Sequence, residues 1–198
     1  MTDVSTAGGR TPSRAVEQAL VDAAERVLVR DGLAGLTVRA VATEAAVAPM
    51  GVYNRFGNKD GLVAAVLARG FEGLRAATAA AEEADPFDRL ISCGRGYRRF
   101  ALTHPQHYAA MFGAGFALAA PVEELTERAT AAFTTLVDRV RYGMDRGLLR
   151  DGDPVQTAQL IWSSVHGAVS LELGGMTQVA DPGENYEQLL RMLVDGLR

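Results

Sequence analysis

Residues 36–59 read LTVRAVATEAAVAPMGVYNRFGNK, two short helical patterns separated by a tight turn and closed by aromatic residues. Thr37 is suited to cap the first pattern, because its hydroxyl can accept from a first-turn amide, and Val38, Val41, Ala42 and Ala45 then recur on one face at helical spacing. After Ala46 the pattern restarts at Ala48. Pro49 fits the first helical position, where its missing N–H costs nothing and its fixed φ already matches a helix. The second helix is predicted from Pro49 to about Arg55, with Val52 and Phe56 one turn apart and pointing inward. Pro49, Met50, Tyr53 and Asn54 fall on the remaining faces and are candidates to meet bases or phosphates.

The run VAPMGVYNRFGNKDGL, Val47 to Leu62, resembles the recognition helix and following helix start of the TetR family of transcriptional regulators. Ala48, Val52, Tyr53, Phe56, Lys59 and Leu62 occupy the family's small, apolar, Tyr, Phe, Lys and apolar places. Two positions depart from it: Ala46 stands where the family often has glycine, and Ala48 where it often has a hydroxyl. A left-handed turn at Ala46 would cost roughly 1 kcal/mol. The resemblance implies a three-helix helix-turn-helix head that binds duplex DNA, with Arg14, Thr37, Arg39, Ala48, Pro49, Met50, Gly51, Tyr53, Asn54 and Lys59 as its candidate contacts. In that orientation Tyr53 and Lys59 meet phosphates, while Met50, Gly51 and Asn54 lie nearest to base edges.

Composition bounds the rest. At 198 residues and 48% hydrophobic content the chain can build real cores, and its 22% charged content is not that of a disordered polymer. No apolar run approaches the ~20 residues needed to cross a bilayer, and the first residues have neither a basic start nor an apolar segment, so the expected location is the cytoplasm, with no membrane partner. The single cysteine, Cys93, rules out an intrachain disulfide and reads as a small buried apolar residue. The net charge of −4 gives no general support to nucleic-acid binding; residues 1–60 hold seven basic and seven acidic side chains. Phosphate affinity must therefore come from local placement of Arg10, Arg14, Arg39 and Lys59.

Residues 1–12 read as an aperiodic, basic arm. A first helix follows from Ser13 to Gly32, and after the two-helix unit Asn58 caps a longer helix along Leu62, Val63, Val66, Leu67, Phe71 and Leu74, ending before Pro86. Residues 76–85, AATAAAEEAD, read as a solvated helix end or a hinge. His104-Pro105 forces a break. A short helix then covers 106–112, residues 113–120 read as a loop, and Pro121 opens a long helix through Leu125, Phe133, Val140 and Met144. Asp153-Pro154 starts the next, whose stretch Gln159 to Leu173 is apolar on most sides and implies burial on both faces. Tyr186, Leu189, Leu190, Leu193 and Leu197 close the chain with an amphipathic helix. No strand alternation is present, so the fold is all-α with about nine helices. The expected division is an arm and DNA-binding domain over 1–60 and a regulatory and dimerisation domain over 61–198.

The second half is also similar to TetR material. YRRFALTHPQHYAAMF, Tyr97 to Phe112, and Trp162-Ser163-Ser164-Val165-His166-Gly167 resemble a C-terminal subfamily often called the WHG type. Tyr97, Phe100, Met111, Phe112, Phe116, Met144, Trp162 and His166 combine aromatics, soft methionines and one imidazole, the composition of a small-molecule pocket. The resemblance implies a two-fold, four-helix interface, for which Leu160, Val165, Leu171, Leu190, Leu193 and Leu197 are the candidates. No metal or cofactor is expected: Pro105 interrupts the helix that would align His104 with His107. No catalytic set is expected either, since Ser163, Ser164 and His166 lie on a continuous helix without a G-x-S-x-G elbow. The expected function is a ligand-responsive regulator, a homodimeric repressor released from a pseudo-palindromic operator by a small molecule. The alternative is a helical carrier or enzyme built on the Tyr97, Trp162 and His166 region.

Overall fold

The computed structural model describes residues 13–79, 85–119 and 122–198. Among these residues the chain forms ten helices and no strand: α1 (Ser13–Gly35), α2 (Val38–Glu44), α3 (Pro49–Phe56), α4 (Lys59–Ala79), α5 (Pro86–Thr103), α6 (Pro105–Phe112), α7 (Ala114–Ala119), α8 (Glu123–Asp145), α9 (Pro154–Leu173) and α10 (Pro182–Gly196). The starts are chemically explicit. Thr37 accepts from the Ala40 N–H at 3.2 Å, and Asn58 accepts from the Gly61 N–H at 2.9 Å. Asp85-Pro86, Asp153-Pro154 and Asp181-Pro182 repeat one signal: the aspartate accepts from Phe87, Val155 or Glu184, and the proline takes the first helical position.

The head is α1 to α3 closed by the first turns of α4, and α4 continues into the body, where it packs along α5 and α8. α9 and α10 cover α5 and α8 from the other side, while α6 and α7 cross over α4 and reach α1. One continuous apolar core runs from Leu20 in α1 to Val194 in α10. Arginines of α5 fasten the last two helices: Arg98 Nε donates to Glu172 of α9 at 2.8 Å, and Arg95 makes two bonds of 2.7 Å to Glu187 of α10. These are paired guanidinium-carboxylate contacts at the body surface.

Several details differ from these expectations. Residues 114–119 are helical where a loop was predicted, which makes ten helices rather than nine. α1 continues past Gly32, which adopts φ +67° and kinks the chain before a last turn to Gly35. Within one protomer α9 buries one face, Ala158, Ile161, Val165 and Val169, while Leu160 is 61% exposed. Gly94 and Gly96 bring helices into close contact. A Cβ on Gly96 would run into the backbone carbonyl of Ala77, and one on Gly94 into the Leu190 side chain. Gly96→Ala is therefore expected to lower the thermal midpoint by roughly 5–10 °C through overpacking between α4 and α5, measured by circular dichroism. Residues 1–12 with Arg10, part of 76–85, and Pro121 lie outside the described residues.

Candidate DNA interface and ligand cavity

The turn between α2 and α3 closes as a Schellman motif. Val47 N–H donates to Ala42 C=O at 2.9 Å and Ala46 N–H to Thr43 C=O at 3.2 Å, with Ala46 left-handed at φ +54°. Ala46 thus accepts the roughly 1 kcal/mol strain that glycine would avoid. Ala48 precedes α3 without any side-chain cap, as its methyl dictates, and Pro49 opens the helix. Val52 is fully buried, Phe56 packs against the core, and Pro49, Met50, Gly51, Tyr53 and Asn54 are all exposed. Thr37 is spent on its cap, and Arg39 stands exposed in the first turn of α2.

Ion pairs resolve the zero net charge of the head. Glu44 holds Arg26 and Arg30 at 2.7 and 2.9 Å, Asp31 holds Arg30 at 2.9 Å, Glu17 holds Arg55, and Asp22 and Glu25 hold Arg69 of α4. Among the described residues, Arg14, Arg39 and Lys59 are exposed cations without a carboxylate partner. The acidic half of the head is largely neutralised internally, which leaves these three for an external anion.

In the body a cavity of about 400 Å³ lies between α4 and α10, walled by Phe71, Leu74, Leu90, Ile91, Phe112, Phe133, Leu136, Ile161, Val165, Leu190 and Leu193 among others. Five of the eight expected ligand residues line it: Tyr97, Met111, Phe112, Phe116 and Trp162. Three do not. Phe100 turns toward α1 and a second, polar cleft, Met144 packs on the core lower along α8, and His166 stands behind the wall. The aromatic packing is edge-on, with Phe71 5.7 Å from Phe112 at 83° and Trp162 5.9 Å from both Phe112 and Phe133. Among the described lining residues none is charged; the polar atoms come from Thr78, Cys93, Tyr97 and Trp162. Burial pushes the Cys93 thiol up to about 11, so it is a packing group rather than a nucleophile at neutral pH.

Tyr97 is the polar focus. Trp162 Nε1–H donates to its hydroxyl at 3.2 Å, and that hydroxyl lies 3.0 Å from the Tyr108 hydroxyl and 2.9 Å from His166 Nδ1, which is 2.8 Å from Tyr108. Burial lowers the His166 pKa, so the imidazole is neutral at pH 7 and Nδ1 can accept from either phenol. Tyr108 was absent from the sequence-based set. Its pattern within Pro105–Phe112 reads as ordinary core, and its hydroxyl partners lie 11 and 58 residues away.

The six residues expected at a dimer interface divide within the protomer. Val165 and Leu190 are buried and line the cavity, and Leu193 and Leu197 are half-buried against the core, so these side chains serve their own protomer. Leu160 and Leu171 of α9 remain exposed, as do Leu173, Met176 and Met192, the last 69% exposed.

Head and body meet at Glu25 of α1. Its carboxylate lies 3.0 Å from Arg69 of α4 and 3.5 Å from Nε2 of the buried His107 of α6. Burial works to raise the Glu25 pKa, but His107 and Arg69 outweigh it and hold the carboxyl below its ordinary range. His107 lies one helical turn before Met111, so α6 touches the head with one side chain and the cavity with the next. Among the described residues no three His, Cys, Asp or Glu side chains converge as a metal site, and no helix is long and apolar enough to cross a membrane.

Comparison with known proteins agrees with this layout. Residues 20–66 match the family model described as bacterial regulatory proteins, tetR family, and residues 90–196, more than half of the chain, match a tetracyclin repressor-like C-terminal domain. The chain belongs to the TetR family. An HTH-type transcriptional regulator of Mycobacterium tuberculosis is 26% identical over 212 residues, covering 90% of this chain and 91% of that protein. A structure of a protein of unknown function from Rhodococcus sp. RHA1 superposes with a TM-score of 0.83 at 27% identity, covering 98% of this chain and 99% of that one. FadR of Bacillus subtilis, solved in complex with stearoyl-CoA, shares the fold at a TM-score of 0.73 and 17% identity, over 92% of this chain and all of that one. This TetR-family chain is a DNA-binding transcriptional regulator with a C-terminal ligand-binding domain, and nothing in these likenesses favours a carrier or an enzyme.

Proposed function

We propose that this regulator is a homodimeric repressor which reads a pseudo-palindromic operator through α3 and lets go when an uncharged, largely apolar molecule enters the α4–α10 cavity. The head is assigned residues 1–60 and the regulatory body 61–198, with α4 crossing from one to the other. The observation that carries the reading is the cavity wall. A site of about 400 Å³ falls in the usual range of roughly 300–1,000 Å³ for small-molecule pockets, yet its described lining offers no charge to neutralise a ligand charge. An ionised group buried there would lose its hydration, a penalty of several kcal/mol, and the guanidinium of Arg139 stands behind the wall, bonded to the Thr78 carbonyl at 2.8 Å, rather than in it. The Tyr97 hydroxyl and its neighbours are suited to orient one neutral hydrogen-bonding group. An acyl chain such as the one in the FadR complex satisfies these walls only if its charged end stays outside them.

The exposed Leu160, Leu171 and Met192 supply the apolar face for the second protomer, and a symmetric dimer then demands half-sites about one helical turn, or a multiple, apart. The test combines mass and affinity. Sedimentation at micromolar concentration is expected to give a dimer, and a thermal-shift screen is expected to favour neutral apolar compounds over carboxylate analogues of equal size. A neutral hit must then weaken binding to a duplex selected by the protein. A monomeric mass, or equal operator affinity at saturating ligand, overturns the reading. On the DNA side, Lys59→Ala is expected to weaken every duplex alike and to reduce the salt slope by about one per protomer, as loss of one phosphate contact does. A change in sequence preference instead would place Lys59 at a base.

A further inference from the structure

The reading helix is short of charge, and this limits which bases it can recognise. α3 has no acidic residue and one basic residue, Arg55, whose guanidinium is engaged by Glu17 of α1. The usual way to read guanine is a bidentate arginine or lysine on O6 and N7, and the one candidate α3 carries for it, Arg55, is exposed but already paired with Glu17. That face offers neutral groups: Met50, 64% exposed, Tyr53, 47% exposed, and the Asn54 amide. Met50 and Asn54 are four residues apart, so they share a face one turn apart, about 6 Å along the axis. At ~3.4 Å per base pair that separation spans about two pairs. A thioether is a poor hydrogen-bonding group, and the major-groove feature that rewards an apolar side chain is the 5-methyl of thymine. The asparagine amide carries one donor and one acceptor in the arrangement that matches N7 and N6–H of adenine.

We propose that each operator half-site presents a thymine whose 5-methyl packs on Met50 and, within two base pairs, an adenine read through its N7 edge by Asn54. The proposal rests on α3 being the reading helix, and it adds what the helix reads. Tyr53, with its hydroxyl, remains on the backbone side.

The full-length protein is first used to select duplexes from a random library. The selected duplex is then remade with each thymine singly replaced by uracil, which removes only the methyl, and each adenine singly replaced by 7-deazaadenine, which removes only the N7 acceptor. One thymine per half-site is expected to weaken wild-type binding about fourfold when demethylated, the worth of one buried methyl group. Met50→Ala should bind the normal and the uracil duplex equally. One adenine within two pairs of that thymine is expected to cost about tenfold when N7 is lost, and Asn54→Ala should be indifferent to the change. Both side chains are exposed, so both variants should melt like wild type. The proposal is overturned if no uracil substitution matters, if the sensitive thymine stays equally sensitive in Met50→Ala, or if the selected half-site carries only G·C pairs under α3. Failure of the reading-helix assignment looks different: Met50→Ala and Asn54→Ala would then both bind the selected, unaltered duplex as tightly as wild type, and both statements would fall.

Discussion

Val52→Asp is expected to lower affinity for a selected operator at least a hundredfold while leaving the ligand-binding body folded. Val52 is the fully buried residue of α3 and is part of the core that also holds Val38, Val41 and Leu62. A carboxylate placed there is taken out of water into an apolar core. Burying it unpaired costs on the order of 3–5 kcal/mol, and the cheaper outcome is for α3 to leave its seat. The exposed residues proposed for recognition are fixed only by that seat, so they lose register together. The body uses none of these contacts, and its integrity can be read separately, because Trp162 is the single tryptophan and lines the cavity. Wild-type tryptophan emission together with lost operator binding, measured by anisotropy, is the expected result. Met50→Asp is the matched control, since the same charge at an exposed position should weaken DNA binding without loosening the head. Operator affinity within threefold of wild type for Val52→Asp would mean that α3 does not hold the reading face.

The head was legible in the sequence because its determinants are local. Thr37 caps within three residues, Pro49 opens its own helix, and the turn strain at Ala46 follows from neighbours in the chain. The same holds for the start of α9, where Asp153 and Pro154 act within one turn, and Asp85-Pro86 and Asp181-Pro182 carry the same signal. What escaped was decided by partners far along the chain. Val165 and Leu190 are indistinguishable from Leu160 and Leu171 as letters in an apolar helix; which of them faces the cavity depends on how α9 and α10 roll onto α5. Tyr108 becomes a polar-site residue only because His166 and Tyr97 arrive beside it, and His107 becomes a junction residue only because Glu25 does. α7 was read as a loop because Gly113 and Gly115 interrupt a stretch of six helical residues, too few for periodicity to outweigh glycine.

Trp162→Ala is expected to abolish the ligand response while changing unliganded operator affinity by less than about threefold, against a wild-type coupling of typically 5- to 150-fold. The indole does two things in the cavity. It packs between Phe112 of α6 and Phe133 of α8, and its N–H supplies the Tyr97 hydroxyl with a donor. Truncation removes a wall and leaves the polar focus short of a proton, so ligand affinity falls first. A ligand acts on DNA only by binding one arrangement of the heads better than the other, and the structure provides a contact through which that preference can pass. Met111 sits against Gly70 of α4 on one side and in the cavity on the other, and one turn earlier His107 faces Glu25 of the head. Glu25→Gln separates the two steps. It keeps the cavity intact, so ligand affinity in the absence of DNA should stay near wild type, while loss of the charge shared with Arg69 and His107 should reduce the coupling. Reciprocity supplies the check: whatever factor the ligand imposes on operator affinity, operator must impose on ligand affinity, in wild type and in each variant. A Trp162→Ala protein that still released operator at saturating ligand as fully as wild type would place the effector elsewhere. An unchanged coupling factor in Glu25→Gln would leave the cavity in place and move the transmission from the α6–α1 contact to α4 alone.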